Sequence, residues 1–132
     1  MNQFRTRVLL IDDSPSSLIW QLVLLQEERY DTLTANTTAE GFRIARLERP
    51  DLVILDATSR YADVIRTATE LRAEPATRDI PILLLVGAGR ARASADLAAI
   101  SDDLIGKPLD GAEYIQKIRE LLGRRRRGSS RR

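Results

Sequence analysis

Three carboxylates and one ammonium stand at the ends of short apolar runs in this chain. Asp12 and Asp13 follow Val8-Leu9-Leu10-Ile11, Asp56 follows Leu52-Val53-Ile54-Leu55, and Lys107 follows Leu104-Ile105-Gly106. A carboxylate can act as a nucleophile and carry a phosphoryl group as an acyl phosphate. Crowded acids repel one another unless a cation neutralises them. Mg²⁺ suits that role, because it takes a few carboxylates, a phosphate oxygen and several waters. A lysine nearby would stabilise charge on the transferred group. The chemistry requires that the chain bring these four side chains to one place.

The runs themselves supply the means. Leu52–Leu55 and Ile82–Val86 are wholly apolar, as in strands buried on both faces of a parallel sheet. The first strand is predicted over 7–11, an edge-like second over 30–35, and a short fifth over 103–106. Ser14-Pro15 is a helix start, with serine as N-cap and proline at the first position. Helix one runs to about Glu28, with Leu18, Leu22 and Leu25 inward. Thr37 or Thr38 opens helix two, where Ala39, Phe42, Ile44 and Ala45 supply the apolar spacing. Helix three spans about 62–73 and helix four about 90–99. Helix five follows Asp110-Gly111, with Tyr114, Ile115, Ile118, Leu121 and Leu122 recurring at helical spacing. Parallel crossovers need helices, so the alternation implies a doubly wound α/β sandwich with five parallel strands in the order 2-1-3-4-5. In such sheets the ligand site lies at the carboxyl ends of the strands, where the acids and the lysine stand.

The chain of 132 residues is long enough for one domain with a real core. Cysteine and histidine are absent, which excludes disulfides, thiolate chemistry, histidine bases and histidine-rich metal sites. No apolar run reaches the roughly 18 residues a membrane span needs. With no leader evident at the N-terminus, a cytoplasmic domain is expected. The net charge is +2, but the last ten residues carry six arginines and no acid, leaving −4 for the remainder. The sequence therefore divides into a folded domain over 1–122 and a basic, flexible tail over 123–132. No aromatics are interleaved with the arginines and no helix-turn-helix accompanies them, so a solvated or acid-binding tail is preferred to a nucleic-acid contact.

With this order of elements, Asp12-Asp13, Asp56 and Lys107-Pro108 resemble the receiver domain of two-component response regulators. The phrases RPDLVILD, PATRDIPILLL and DDLIGKP are close to receiver phrasing, and the likeness covers about residues 6–122. It implies a flavodoxin-like fold and a single-domain receiver. Asp56 would accept a phosphoryl group from a histidine kinase or phosphotransfer protein, with Lys107 stabilising that group. Mg²⁺ would be held by Asp13 directly, by Asp12 largely through water, by Asp56, and by the backbone carbonyl of Thr58. A cis Lys107–Pro108 bond is also implied. Such a domain relays a signal to a downstream protein and is not a turnover enzyme.

Two strand positions and the loop after Asp56 depart from that pattern. Val86 stands where a Thr or Ser hydroxyl is usual, and Leu104 where an aromatic residue is usual. In the loop after Asp56, Arg60 replaces the usual proline and Val64 the usual glycine, while Asp63 keeps the usual acid. A valine donates no hydrogen bond, so the familiar switch is not expected to carry the output. The alternative is a phosphorylation-independent adaptor or dimerisation module. For it, Trp20, Val23 and Leu24 are predicted to face outward on helix one, a surface also suited to kinase docking or a homodimer. A small Mg²⁺-dependent phosphatase would need a second acid two residues after Asp56, where Thr58 stands.

Overall fold

The computed structural model describes residues 5–88 and 95–130, the side chains of 125–130 excepted. Its elements are β1 (Arg7–Ile11), α1 (Pro15–Glu27), β2 (Asp31–Ala35), α2 (Thr38–Glu48), β3 (Leu52–Asp56), α3 (Tyr61–Ala73), β4 (Ile82–Val86), α4 (Ala95–Ile100), β5 (Asp103–Gly106) and α5 (Gly111–Ser130). All five strands are parallel, in the order β2-β1-β3-β4-β5.

Alternating side chains of the central strands feed two cores. Leu9, Ile11, Val53, Leu55, Ile82, Leu84 and Val86 face α2, α3 and α4. Val8, Leu10, Leu52, Ile54, Leu83 and Leu85 face α1 and α5. Burial on both faces explains why the sequence shows continuous apolar runs rather than alternation. The caps follow their chemistry: the Ser14 side chain accepts from the amide of Ser17, with Pro15 in the first turn, and the Thr37 side chain accepts from the amide of Glu40. The Lys107–Pro108 bond is cis.

The differences from the sequence reading are local. Leu24 does not face outward but packs into the α1/α5 core. It stands three residues after buried Gln21, and i,i+3 residues share a helix face. Trp20 and Val23 are exposed as expected, joined by Ile19, although the Trp20 ring lies 6.1 Å from that of Tyr114. Ala39 is exposed rather than part of the inward face of α2. α5 does not end at Gly123 but continues through Ser130. Arginine is a good helix former, and the isolated glycines Gly123 and Gly128 are each tolerated within a helix. Residues 89–94, the predicted start of helix four, lie outside the described residues.

Candidate functional site

The register places the acids side by side. Ile11 pairs with Leu55, so Asp12 and Asp56, one residue further along each strand, lie abreast at the carboxyl edge. Val86 pairs with Gly106, which brings Lys107 to the same edge. Lys107 Nζ donates to Asp56 Oδ2 at 2.7 Å and to Ser17 Oγ at 3.2 Å. The other oxygen of Asp56, Oδ1, accepts from the amide of Thr58 at 2.8 Å and from the Thr58 hydroxyl. Burial raises the Asp56 carboxyl, but the bonds from Lys107 and Thr58 and the lysine charge outweigh it. The net shift is downward, and Asp56 stays ionised.

Asp12 is buried as well. Its Oδ1 accepts from the amide of Ser14 at 2.9 Å, and its Oδ2 from the Ser17 hydroxyl at 2.6 Å and from Gln21 Nε2 at 3.0 Å. Desolvation is the largest effect on its carboxyl, and Asp56 adds like charge. Together they raise it above the ordinary carboxylate value despite the bonds from Ser17 and Ser14. Gln21 Oε1 in turn accepts from the Tyr114 hydroxyl at 2.7 Å. Burial, with the nearby Asp12 charge, raises that phenol, so it stays protonated and has the proton to donate to Gln21 Oε1. Among the described residues no buried side-chain polar atom lacks a partner.

This chain from Asp12 through Gln21 to Tyr114 was missed by sequence reasoning. A glutamine between Leu18 and Leu22 looks like an ordinary polar helix residue, and Tyr114 lies 93 positions away. The available signal was spacing: Ser17, Gln21 and Leu25 recur every four residues, one stripe of a helix.

Asp13 is more open. Its Oδ2 accepts from Arg60 Nε at 3.3 Å, from a residue 47 positions away. Asp12, Asp13, Asp56, Ser59 and Arg60 line one cleft that opens to solvent and has room inside for one water-sized group. Those hard carboxylate oxygens fit Mg²⁺, which takes one or two protein carboxylates and keeps several waters, as the open side of the cleft allows. Among the described residues no three ligating side chains converge as a preformed metal cage. Both oxygens of Asp12 and both of Asp56 already accept from donors, whereas Asp13 accepts one bond of 3.3 Å and is the most open of the three acids. Thr58 meets Asp56 through its amide and hydroxyl.

The opposite flank is apolar. Val86 at the end of β4 is fully buried, and Leu104 on β5 packs against the same core. No hydroxyl stands at the β4 position, as its residue type dictates.

The family model for the response regulator receiver domain matches residues 8–119. The transcriptional regulatory protein PrrA of Mycobacterium tuberculosis is 35% identical over 129 residues, covering 94% of this chain and 52% of that protein. The DNA-binding dual master transcriptional regulator RpaA of Synechocystis is 31% identical over 119 residues, covering 89% and 49%. The chain thus spans about half the length of these regulators. The signal receiver domain of a signal transduction histidine kinase from Syntrophus aciditrophicus superposes with a TM-score of 0.79 at 28% identity, covering 89% of this chain and 90% of that one. The receiver domain of the sensor histidine kinase PA1611 from Pseudomonas aeruginosa, solved with magnesium in its active-site cleft, gives a TM-score of 0.81 at 23% identity, covering 90% and 98%. At that identity the likeness is one of fold.

Proposed function

The chain belongs to the response regulator receiver domain family, and from that premise we propose that Asp56 accepts a phosphoryl group from a histidine kinase or phosphotransfer protein and passes the signal on through protein contacts. Receiver domains are signalling modules rather than classical enzymes. The observation that carries the reading is the Asp56 carboxylate at the end of β3, held to Lys107 Nζ at 2.7 Å beside an open cleft.

In the proposed step an Asp56 oxygen attacks the phosphorus of the donor. A new P–O bond forms as the bond to the leaving group breaks, and the leaving imidazole or carboxylate keeps the electron pair. Asp56 is held ionised and so available as a nucleophile. Lys107 is already placed to follow the negative charge from the carboxylate onto the phosphoryl oxygens. Asp13 and Asp56 would hold Mg²⁺, with Asp12 reaching it through water. When bound, the ion offsets repulsion between the acids and the incoming phosphoryl group. Val86 supplies no hydrogen bond to that group, so output through the usual β4 hydroxyl is not part of this reading. A cytoplasmic setting belongs to it, and no described helix is long and apolar enough to cross a membrane.

The test is intact mass after incubation with Mg²⁺ and acetyl phosphate. A single phosphoryl adduct is expected on the natural chain and none on Asp56→Asn. Absence of an adduct together with failure to bind fluoroberyllate would remove the acceptor reading.

A second reading has one observation in its favour: Ile19, Trp20 and Val23 form an exposed apolar strip on α1. There the domain would act as an adaptor or dimerise without phosphorylation. A silent Asp56→Asn in cells together with a disruptive Trp20→Ala would select it.

A further inference from the structure

Building on the cleft as a Mg²⁺ site, we propose that Arg60 is a tethered counterion of Asp13 that the metal must displace, so that this residue sets the Mg²⁺ affinity of the domain. Three carboxylates, Asp12, Asp13 and Asp56, meet two cations here, Lys107 and Arg60. Counted as formal charges, the five groups sum to −1. Without Arg60 they sum to −2, the charge that one Mg²⁺ neutralises. The guanidinium is thus a partial stand-in for the ion.

Geometry says which cation gives way. Lys107 is anchored to both Asp56 and Ser17 on the α1 side of the cleft. Arg60 reaches Asp13 from the other side through one bond of 3.3 Å, and both partners remain largely exposed. Exposed pairs exchange at little cost. The backbone holds Arg60 in this place: it sits at φ 53° and ψ 45°, the left-handed region, at the N-cap of α3. Its side chain makes no capping bond there. The turn instead carries the guanidinium across to the end of β1.

Mg²⁺ draws its ligands to about 2.0–2.1 Å in an octahedral shell. A metal bound to Asp13 would repel a guanidinium seated on the same carboxylate. Entry of the metal therefore drives Arg60 out, and Arg60 opposes entry by the same free energy.

The experiment is an NMR titration with MgCl₂ of the natural chain, Arg60→Gly, Arg60→Asn and Arg66→Ala. Glycine and asparagine both accept the left-handed backbone, so folding is not put at risk. Arg66 lies on α3 and pairs with Asp63 at 2.6 Å, so its loss removes the same charge without touching Asp13. Both Arg60 variants should bind Mg²⁺ about three- to tenfold more tightly. Arg66→Ala should stay within about twofold, because screening weakens a more distant charge. In the natural chain the Arg60 Nε–H resonance should move with the same midpoint as the Asp13 amide. Affinity in the Arg60 variants equal to or weaker than that of the natural chain would overturn the inference. So would an equal gain in Arg66→Ala, or no Mg²⁺ binding at all. The two readings fail separately: tighter Mg²⁺ binding in the Arg60 variants, with neither a phosphoryl adduct nor fluoroberyllate binding on the natural chain, sinks the acceptor but keeps the counterion, and an adduct without an affinity change does the reverse.

Discussion

The Lys107–Asp56 pair and the Arg60–Asp13 pair lie on opposite sides of one cleft. In the first, the Asp56 side chain is 6% exposed and the lysine 26%, and the partners meet at 2.7 Å. In the second, Asp13 is 45% and Arg60 68% exposed, and they meet at 3.3 Å. The buried pair is embedded in a connected polar chain through Ser17, Asp12, Gln21 and Tyr114. The exposed pair hangs from a loop. The same attraction is structural in one place and exchangeable in the other, because desolvation and supporting bonds decide what the loss of a partner costs. The proposed phosphoryl acceptance would use both kinds: a fixed cation to meet the phosphoryl group, and an opening where a metal enters.

The largest effect should come from breaking the buried pair. Lys107→Met leaves Asp56 ionised in a poorly solvated position with only Thr58 as donor. We expect a loss of about 3–4 kcal/mol in urea unfolding at neutral pH without Mg²⁺. A loss below about 0.5 kcal/mol would mean that water already screens Asp56, and the contrast between the pairs would collapse. Next comes the network behind it. Gln21→Leu removes the acceptor of a fully buried Tyr114 hydroxyl and one donor to Asp12. This should cost about 1–3 kcal/mol. Adding Tyr114→Phe should recover part of that loss, because removing both partners leaves fewer unsatisfied groups. Strictly additive losses would show that the Gln21–Tyr114 bond contributes little.

The sequence made much of this cleft legible, since strands that end in charge announce both the sheet and its functional edge. Leu52–Leu55 could be placed as a buried strand from its composition alone, and Asp56 then had to stand at the ligand edge. Contacts between distant residues were harder. Nothing local ties Gln21 to Tyr114, and a glutamine on a helix is as common in solvent as in a network. Arg60 was visible only as a departure from a pattern. Its meeting with Asp13 depends on a left-handed backbone that an arginine does not advertise. Leu24 was misplaced because the helix-one stripe was centred on Leu18 and Leu22. The structure centres it on Gln21 and Leu25.

A pH titration separates the two inner acids, which push in opposite directions. Burial raises the Asp12 carboxyl above 3.8, so its contribution to stability is full below 3.8 and is lost as pH rises through its folded value. The Asp56 carboxyl is lowered, so its contribution is present above 3.8 and disappears only as pH falls through a value beneath it. Above 3.8 the Asp12 effect therefore acts in its own window, which closes at its raised folded value. The stability of the natural chain relative to Asp12→Asn, measured in EDTA, should be flat at high pH and improve as pH falls through the raised Asp12 value toward 3.8. A difference independent of pH would mean that Ser17, Ser14 and Gln21 fully compensate the buried charge.

The smallest expected change in stability belongs to the exposed pair, and its smallness is informative. Arg60→Gly loses an ion pair of a kind that contributes about 0–1 kcal/mol. It also relieves a left-handed residue, which costs a non-glycine side chain about 1 kcal/mol. The greater freedom of glycine in the unfolded chain offsets part of that relief. The net change in unfolding free energy without Mg²⁺ should stay within about 0.5 kcal/mol. A loss above about 1.5 kcal/mol would make the Arg60–Asp13 contact structural, like that of Lys107. If stability hardly moves while Mg²⁺ binds more tightly, the arginine acts on the metal and not on the fold. Stability and affinity, measured on one variant, then assign the two cations of the cleft to different tasks.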